Sequence, residues 1–475
     1  MKRWILCLAL LACVGQLSAQ TRYQPTWESL QRYDLPDWIK DAKFGIFIHW
    51  GVYSVPGFDS EWYPRNMYDT AHKVFKHHVA TYGPHHTFGY KDFIPQFRAE
   101  KFNATEWVDL FKKAGAKYVV PVAEHHDGFA MYKTALSRWN AYEMGPKRDV
   151  VGEIAAAAKK AGLVFGLSSH RIEHWWFFNH GRAFHSDVID PKYQDLYGPA
   201  REENETMSPE FMNDWLMRNI ELIDKYQPQL FWFDWWIEQP ALEPYRKSFA
   251  SYYYNKGLEW NKGVVINYKN ESYRGKSAML DIERGKLTDI RKETWQTDDA
   301  IGYNSWGYTN SNTFKSDKYL INNLIDIVSK NGVLLLNIGP KPDGTITEEE
   351  KKMLLAVGDW LNVNGDAIYG SRPWKIFGEG PTRVAGGSFS DDKDKPFTAE
   401  DIRYTTKGDR LFAIALDHPV KPVLMKSLAG QTIQSIEMMG STEKISWKQT
   451  KDGLLIQPSA NYPAKHAVVY SINLK

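Results

Sequence analysis

The chain has 475 residues, of which 59 are lysine or arginine and 57 are aspartate or glutamate. A formal net charge of +2 without a basic stripe argues against nucleic acid as a partner. The length is sufficient for a large core and two domains. The 19 tryptophans and 26 tyrosines suit a core, and they also suit aromatic platforms for sugar rings.

Residues 1–19 have the pattern of a secretory signal peptide. A basic start precedes a short apolar stretch, and small residues up to Ala19 form a cleavage site. The apolar stretch is too short to span a membrane, and no later segment is apolar enough. The only two cysteines, Cys7 and Cys13, lie in this segment, so we expect no disulfide in the mature chain. We expect export to a bacterial periplasm, with lipoprotein anchoring at Cys13 as the less favoured alternative.

Short apolar strands alternate with amphipathic helical stretches as far as about residue 370. The pattern predicts strands at 44–49, 118–123, 164–169, 230–235, 264–268, 279–282 and 333–338. It predicts helices at 106–115, 149–161, 209–225, 317–329 and 347–364, the last with a Thr347–Glu350 capping box.

Alternating strands and helices predict parallel strands with helical crossovers. The number of units favours an α/β fold in the form of a (β/α)8-like barrel over residues 20–372. A doubly wound sheet is the alternative, but no GxGxxG motif follows the first strand. Beyond residue 372, short alternating strands at 410–415, 435–438, 454–457 and 468–472 predict a C-terminal antiparallel β-sandwich over residues 373–475.

Asp234 is the one carboxylate in the apolar and aromatic run 230–236. Burying a charge costs several kcal/mol unless something compensates it or uses it. In a strand, Trp232, Asp234 and Trp236 point to the same side, which places a carboxylate among flat rings as a sugar site requires. A salt-bridged aspartate at a strand end is the competing interpretation.

Other polar residues also follow predicted strands, where barrel enzymes carry their active sites. They are His49, the pair His125 and His126, and His170. Adjacent histidines on a strand point to opposite sides, which disfavours a shared metal ion, and no HExxH motif is present. We therefore expect these histidines to bind hydroxyl groups without a metal. Glu61 and Trp62, which follow a Gly/Pro loop, could reach over the same pocket.

A glycosidase needs a second carboxyl group beside Asp234, either as an acid or as a base. Four downstream glutamates could supply it, and their spacing in the sequence does not choose among them: Glu238, Glu271, Glu283 and Glu293.

Six longer motifs lie at residues 43–54, 61–68, 124–129, 231–234, 305–308 and 334–344. Through them the chain resembles the family 29 glycoside hydrolases, the α-L-fucosidases, from about Trp38 to Trp374. The resemblance implies an exo-acting, retaining hydrolase of terminal α-L-fucose with a (β/α)8-like barrel and a C-terminal β-sandwich. It implies fucosylated oligosaccharides or glycoconjugates as substrates and neither a metal nor an organic cofactor. The linkage that is cut and the formation of a homo-oligomer stay open.

The resemblance also assigns roles to residues. Asp234 corresponds to the family's nucleophile, and the fucose-binding groups correspond to His49, Glu61, Trp62, His125, His126 and Trp232. His170 stands where many members carry a tyrosine. One group of members places its acid/base where this chain has Gln296, and another group has a motif similar to residues 282–285. We therefore expect Glu283 to be the acid/base, with Glu293 as the alternative.

Overall fold

A computed structural model describes residues 22–391 and 395–475 of the chain. The predicted signal peptide, with Cys7, Cys13 and the cleavage site at Ala19, lies outside the described residues and stays a prediction.

Eight parallel strands form one sheet that nearly closes into a barrel, and its neighbours run in the order β6-β5-β4-β3-β2-β1-β8-β7. The gap between β6 and β7 is crossed by an isolated bridge between Asp281 and Gln296. The strands are β1 (Phe44–Ile48), β2 (Tyr118–Glu124), β3 (Val164–Ser169), β4 (Leu230–Phe233), β5 (Val265–Tyr268), β6 (Met279–Leu280), β7 (Trp295–Ala300) and β8 (Gly332–Ile338). The predicted (β/α)8-like barrel is confirmed.

Helices follow most of these strands and cover the outside of the barrel. They are α1 (Trp27–Leu30), α2 (Asp37–Ala42), α3 (Tyr63–Asn66), α4 (Lys73–Tyr82), α5 (Ala104–Lys113), α6 (Val150–Ala161), α7 (His174–Phe177), α8 (Gln194–Tyr197), α9 (Pro209–Tyr226), α10 (Glu243–Glu259), α11 (Asp317–Ser329) and α12 (Glu348–Asn364). Polar side chains accept hydrogen bonds from the first turns of the long helices α5, α6, α9, α11 and α12: Asn103, Asp149, Ser208, Ser316 and Thr347.

Alternate residues of the strands fill the barrel interior, among them Phe47, Val120, Trp232 and Leu335. Gly45 makes room for this packing, since a Cβ atom at that position would lie 2.4 Å from the ring of Tyr118. The barrel is therefore a packed core, and the site must lie at one of its ends.

Neither β7 nor α10 is predicted by the apolar pattern. All six residues of β7 are buried although four of them are polar, in the sequence Trp-Gln-Thr-Asp-Asp-Ala. A strand that lines a polar site lacks the apolar run by which buried strands are recognised.

The remaining strands form two antiparallel sheets, which confirms the predicted β-sandwich. The larger has the order β13-β16-β11-β10-β9 and the smaller β12-β15-β14. The strands are β9 (Arg372–Glu379), β10 (Ile402–Lys407), β11 (Arg410–Ala415), β12 (Val423–Met425), β13 (Ile433–Met438), β14 (Trp447–Thr450), β15 (Gly453–Ile456) and β16 (Val468–Leu474). Their inner faces form a separate hydrophobic cluster.

A buried ionic cluster joins the sandwich to helix α11 of the barrel. Asp326 Oδ1 lies 2.6 Å from Arg403 Nε, and Asp326 Oδ2 lies 2.7 Å from Lys330 Nζ. Burial alone would raise the pKa of Asp326, but Lys330 and Arg403 outweigh it and lower this pKa to about 2. The carboxylate is therefore ionised at neutral pH and neutralises two buried cations.

Replacing Asp326 by asparagine should destabilise the protein strongly, because Arg403 and Lys330 would stay buried without their counter-charge. We expect the free energy of unfolding at pH 7 to fall by about 3–5 kcal/mol. Asp417→Asn is the matched control. Asp417 of the sandwich pairs at 2.5 Å with Lys318 of α11, the helix that also carries Asp326, but both side chains are partly exposed. Solvent screening should keep that loss below about 1 kcal/mol.

Thermal denaturation as a function of pH measures both effects. Because the pKa of Asp326 is lower in the folded chain than in the unfolded chain, its contribution is complete above the unfolded pKa of about 4. It disappears as the pH falls through about 2. The difference between wild type and Asp326→Asn should shrink over that range. Equal losses in the Asp326 and Asp417 variants at pH 7 would contradict this account.

Candidate active site

Asp234 follows β4 at the carboxyl end of the barrel and lies within a group of cations and donors. Its Oδ2 atom accepts a hydrogen bond of 2.8 Å from His170 Nδ1, and its Oδ1 atom lies 3.2 Å from Lys269 Nζ. Burial would raise the pKa of Asp234, but Lys269 and the hydrogen bond from His170 outweigh it and hold this pKa well below its usual range. Asp234 is therefore a carboxylate that is kept ionised and is 9 % exposed.

Lys269 follows β5 and is the centre of the charged cluster. Its Nζ atom lies 2.5 Å from Glu283 Oε2, 3.2 Å from Asp234 Oδ1 and 3.4 Å from Asp298 Oδ2. Burial would lower the pKa of Lys269, but Asp298, Glu283 and Asp234 raise it well above its usual value. Its ammonium group also lies 4.7 Å from the ring centroid of Trp232. One buried cation thus holds three carboxyl groups together.

Glu283 follows β6 and faces Asp234 across Lys269. Besides Lys269, Glu283 Oε2 accepts a hydrogen bond from Trp235 Nε1. Because both carboxylates contact the same Nζ atom, Asp234 Oδ1 and Glu283 Oε2 lie no further apart than the sum of 3.2 and 2.5 Å. The two side chains that the sequence proposed as a pair therefore lie side by side.

Glu293, the alternative acid, is excluded by the fold. It precedes β7, so it lies at the amino end of the parallel strands, whereas Asp234 follows β4 at their carboxyl end. Glu293 lines a separate cavity of about 410 Å³ together with Tyr33, Lys40 and Arg372. The whole length of the barrel thus separates it from Asp234.

The histidines surround Asp234 in defined tautomers. His126 Nδ1 donates 3.0 Å to the carbonyl oxygen of His170, so its Nε2 lone pair points towards Asp234 Oδ2 at 3.6 Å. His49 Nδ1 donates 2.7 Å to Asn337 Oδ1, which leaves its Nε2 atom as an acceptor. His170 Nδ1 carries a proton because it donates to the Asp234 carboxylate, and Ser168 Oγ lies 2.9 Å from His170 Nε2.

Burial keeps three of these histidines neutral. It lowers the pKa of His49 and His125 well below the usual value and that of His126 to about 3. Among the described residues, His125 Nδ1 has no hydrogen-bond partner, although it is buried. An orphaned polar atom in such a site is a place for a ligand hydroxyl group.

Glu61 and Trp62 lie on another side of the same cluster of side chains. Glu61 Oε2 accepts 2.9 Å hydrogen bonds from Ser305 Oγ and from the backbone N–H of Trp306. Burial nevertheless raises the pKa of Glu61. The ring of Trp62 lies 5.2 Å from that of His126, and the ring of Trp306 lies 5.2 Å from that of His49.

The described side chains include two groups of nitrogen and oxygen atoms close enough to hold a metal ion, each within 4.8 Å. They are His49, His125 and His170, and the overlapping group His126, His170 and Asp234. Hydrogen bonds already occupy several of these atoms, as the previous contacts show. The expectation of a site without metal stays a prediction.

Several residues of the site are not predicted by the sequence patterns, above all Lys269, Trp306, Glu173 and Asp298. Glu173 Oε2 lies 3.5 Å from His126 Nδ1, and burial together with Asp234 raises the pKa of Glu173 well above its usual value. Burial and the neighbouring Asp281 also raise the pKa of Asp298 well above its usual value. Lys269 could have been found as a lysine that directly follows a buried strand.

The sequence profile described as "Alpha-L-fucosidase" matches residues 10–366, and that described as "Alpha-L-fucosidase C-terminal domain" matches residues 394–475. The rat (Rattus norvegicus) protein named tissue alpha-L-fucosidase is 33 % identical over 477 residues, which cover 98 % of this chain and 95 % of the rat protein.

Two solved structures of Thermotoga maritima alpha-fucosidase are 32 % identical and cover 95 % of this chain and 100 % of theirs. The complex with fucose has a TM-score of 0.75, and the complex with a mechanism-based inhibitor has one of 0.77. Among the residues that the structure describes, no helix is long and apolar enough to cross a membrane.

Replacing Lys269 by methionine should destabilise the site, because it removes the charge and preserves the length of the side chain. The ionised Asp234 would then be buried without the cation that lies 3.2 Å from it, at a cost of about 3–5 kcal/mol at pH 7. The loss should shrink as the pH falls, since protonation removes the uncompensated negative charge. Thermal denaturation between neutral and acidic pH measures it.

Lys276→Met is the matched control, because Lys276 pairs with Asp34 at 2.6 Å on the exposed surface. Its loss should stay below about 1 kcal/mol. If the two variants lost stability equally, or if the Lys269 deficit did not change with pH, Lys269 would not be the counter-charge that its distances indicate.

Proposed function

The chain belongs to the α-L-fucosidase family and is a glycoside hydrolase that acts on fucosides, and we propose that it releases terminal α-L-fucose by a retaining double displacement. The observation that carries this proposal is the pair formed by Asp234 and Glu283 on one ammonium group. Because both carboxyl groups contact Lys269 Nζ, their nearest oxygens are closer together than the carboxyl groups of an inverting pair, which are about 6.5–9.5 Å apart. The short separation supports a retaining pair.

In the first step, Asp234 attacks the anomeric carbon while Glu283 donates a proton to the oxygen of the leaving group. The bond from the anomeric carbon to that oxygen breaks, and a bond to Asp234 forms, which gives a covalent fucosyl ester. Asp234 suits this role because Lys269 and His170 keep it ionised. Glu283 suits its role because it is a second carboxyl group on the ammonium group that contacts Asp234.

In the second step, the deprotonated Glu283 accepts a proton from a water molecule, and the water oxygen attacks the anomeric carbon. The ester bond to Asp234 breaks, and α-L-fucose leaves with the configuration that it had in the substrate. Lys269 contacts both carboxyl groups, so one cation can balance the negative charge as it passes between them.

The side chains around Asp234 suit a 6-deoxy sugar. The free Nε2 atoms of His49 and His126 and the unpaired Nδ1 atom of His125 offer contacts for hydroxyl groups. The rings of Trp232 and Trp306 offer apolar surface for the methyl group and one sugar face. The similar Thermotoga maritima alpha-fucosidase was solved in complex with fucose, which agrees with this choice of sugar. We propose fucosylated oligosaccharides or glycoconjugates as the natural substrates.

Alanine at Asp234 or at Glu283 should separate the two catalytic roles. We expect Glu283→Ala to slow hydrolysis of a fucosyl oligosaccharide by about 10²–10⁴-fold, and Asp234→Ala by at least as much. Azide should rescue both variants on an activated aryl fucoside, with opposite stereochemistry. Asp234→Ala should give β-L-fucosyl azide by one inversion, and Glu283→Ala should give α-L-fucosyl azide by two. Proton NMR of the products distinguishes them.

Glu293→Ala is the control, because its side chain lies at the other end of the barrel. It should hydrolyse both substrates like the wild type. Loss of rate in Glu293→Ala, or the same azide anomer from both active-site variants, would contradict the assignment.

A further inference from the structure

A segment of the C-terminal sandwich, residues 386–391 between β9 and β10, packs against the loop that carries Glu283. The backbone N–H of Phe389 donates 2.9 Å to the carbonyl oxygen of Glu283, and that of Ser390 donates 3.0 Å to the carbonyl oxygen of Arg284. The position of Phe389 is therefore tied directly to the backbone of the candidate acid/base.

Ion pairs fix the end of the same segment. Asp391 Oδ2 lies 2.7 Å from Lys315 Nζ and 3.1 Å from Arg284 Nε. Burial would raise the pKa of Asp391, but Lys315 and Arg284 outweigh it and lower this pKa. Phe389 itself adopts a positive φ of 53°, which an aromatic residue keeps only where its surroundings hold it.

The ring that this backbone holds is not buried. Phe389 is 49 % exposed, and its ring is nearly parallel to that of Trp235, with an interplanar angle of 12° and a centroid distance of 6.3 Å. Trp235 Nε1 donates its hydrogen bond to Glu283. Two aromatic rings, one of them largely open to solvent, thus lie beside the candidate acid/base carboxyl.

If Glu283 protonates the leaving oxygen, as proposed above, these two rings lie where the leaving group of the substrate binds. A general acid must come within hydrogen-bond reach of the atom that it protonates, so the leaving sugar must lie beside Glu283. Exposed aromatic rings at that place offer a flat apolar surface to the C–H face of a pyranose. Fucose itself belongs on the opposite side of the broken bond, among the histidines around Asp234.

We propose that Phe389 is a specificity-determining residue that binds the first sugar of the leaving group by stacking on its ring. The proposal rests on the proposed function and deepens it. It assigns the enzyme to substrates in which fucose is attached to a pyranose, and it gives the C-terminal segment a part in binding them.

Phe389→Ala should be compared with the wild type on two substrates. One is a fucosylated trisaccharide, selected from a panel of linkage isomers as the one that the wild type cleaves fastest. The other is α-L-fucosyl fluoride, whose leaving group has no ring and needs no acid. On the trisaccharide, kcat/KM should fall about ten-fold, equivalent to about 1.4 kcal/mol, mainly through KM. On the fluoride, it should change by less than about two-fold.

Two further variants control for loss of structure. Phe389→Trp restores an aromatic ring and should recover most of the trisaccharide activity. Tyr142→Ala removes another exposed ring, which packs against Lys133. Lys133 contacts Lys225 at the end of α9, just before the amino end of β4, so Tyr142 lies away from the candidate active site. This variant should match the wild type on both substrates.

The outcomes separate the two claims. An equal fall on trisaccharide and fluoride would place Phe389 in fucose binding or in folding, and it would overturn the inference. Unchanged trisaccharide kinetics in Phe389→Ala would also overturn it. A wild-type protein that left the fluoride intact would overturn the proposed function itself, and the inference with it.

Discussion

One buried ammonium group determines the arrangement of the candidate active site. Lys269 is 2 % exposed and contacts Asp234, Glu283 and Asp298, which come from or follow strands β4, β6 and β7. An unpaired buried charge costs several kcal/mol, so the cation and its carboxylates require each other. These strands include β6 and β7, between which the barrel barely closes. The ionic cluster therefore joins the edges of the sheet at the place where the chemistry is proposed.

Ion pairs also connect the C-terminal sandwich to the barrel and to this site. Asp326 of α11 neutralises the buried Arg403 of the sandwich, which fixes the second domain against the barrel. The segment between β9 and β10 of the sandwich returns to the loop of Glu283 and is held there by Asp391. On our proposal the sandwich therefore contributes to leaving-group recognition through a segment whose position depends on its docking.

Much of the fold could be predicted from the sequence, because most buried parallel strands are short apolar runs and most of the long helices carry polar caps. Asp234 and the histidines could be predicted from their place after such runs. Lys269 also directly follows a buried strand, but its role could not be predicted, because that role depends on carboxylates that are distant in the sequence. Glu283 could be placed after the strand predicted at 279–282, but Glu293 could not be placed, because β7 has no apolar pattern. Without β7, the end of the barrel at which Glu293 lies is undetermined.

The central claim is that Asp234 forms a covalent bond to fucose while Lys269 and Glu283 lie beside it. The most direct test is to incubate the protein with 2-fluoro-fucosyl fluoride, whose fluorine slows hydrolysis of the ester, and to map the label by mass spectrometry of peptides. The account predicts one 2-fluoro-fucosyl group per chain, attached to Asp234. A label on another carboxylate, or turnover of fucosides by a protein that never becomes labelled, would contradict it.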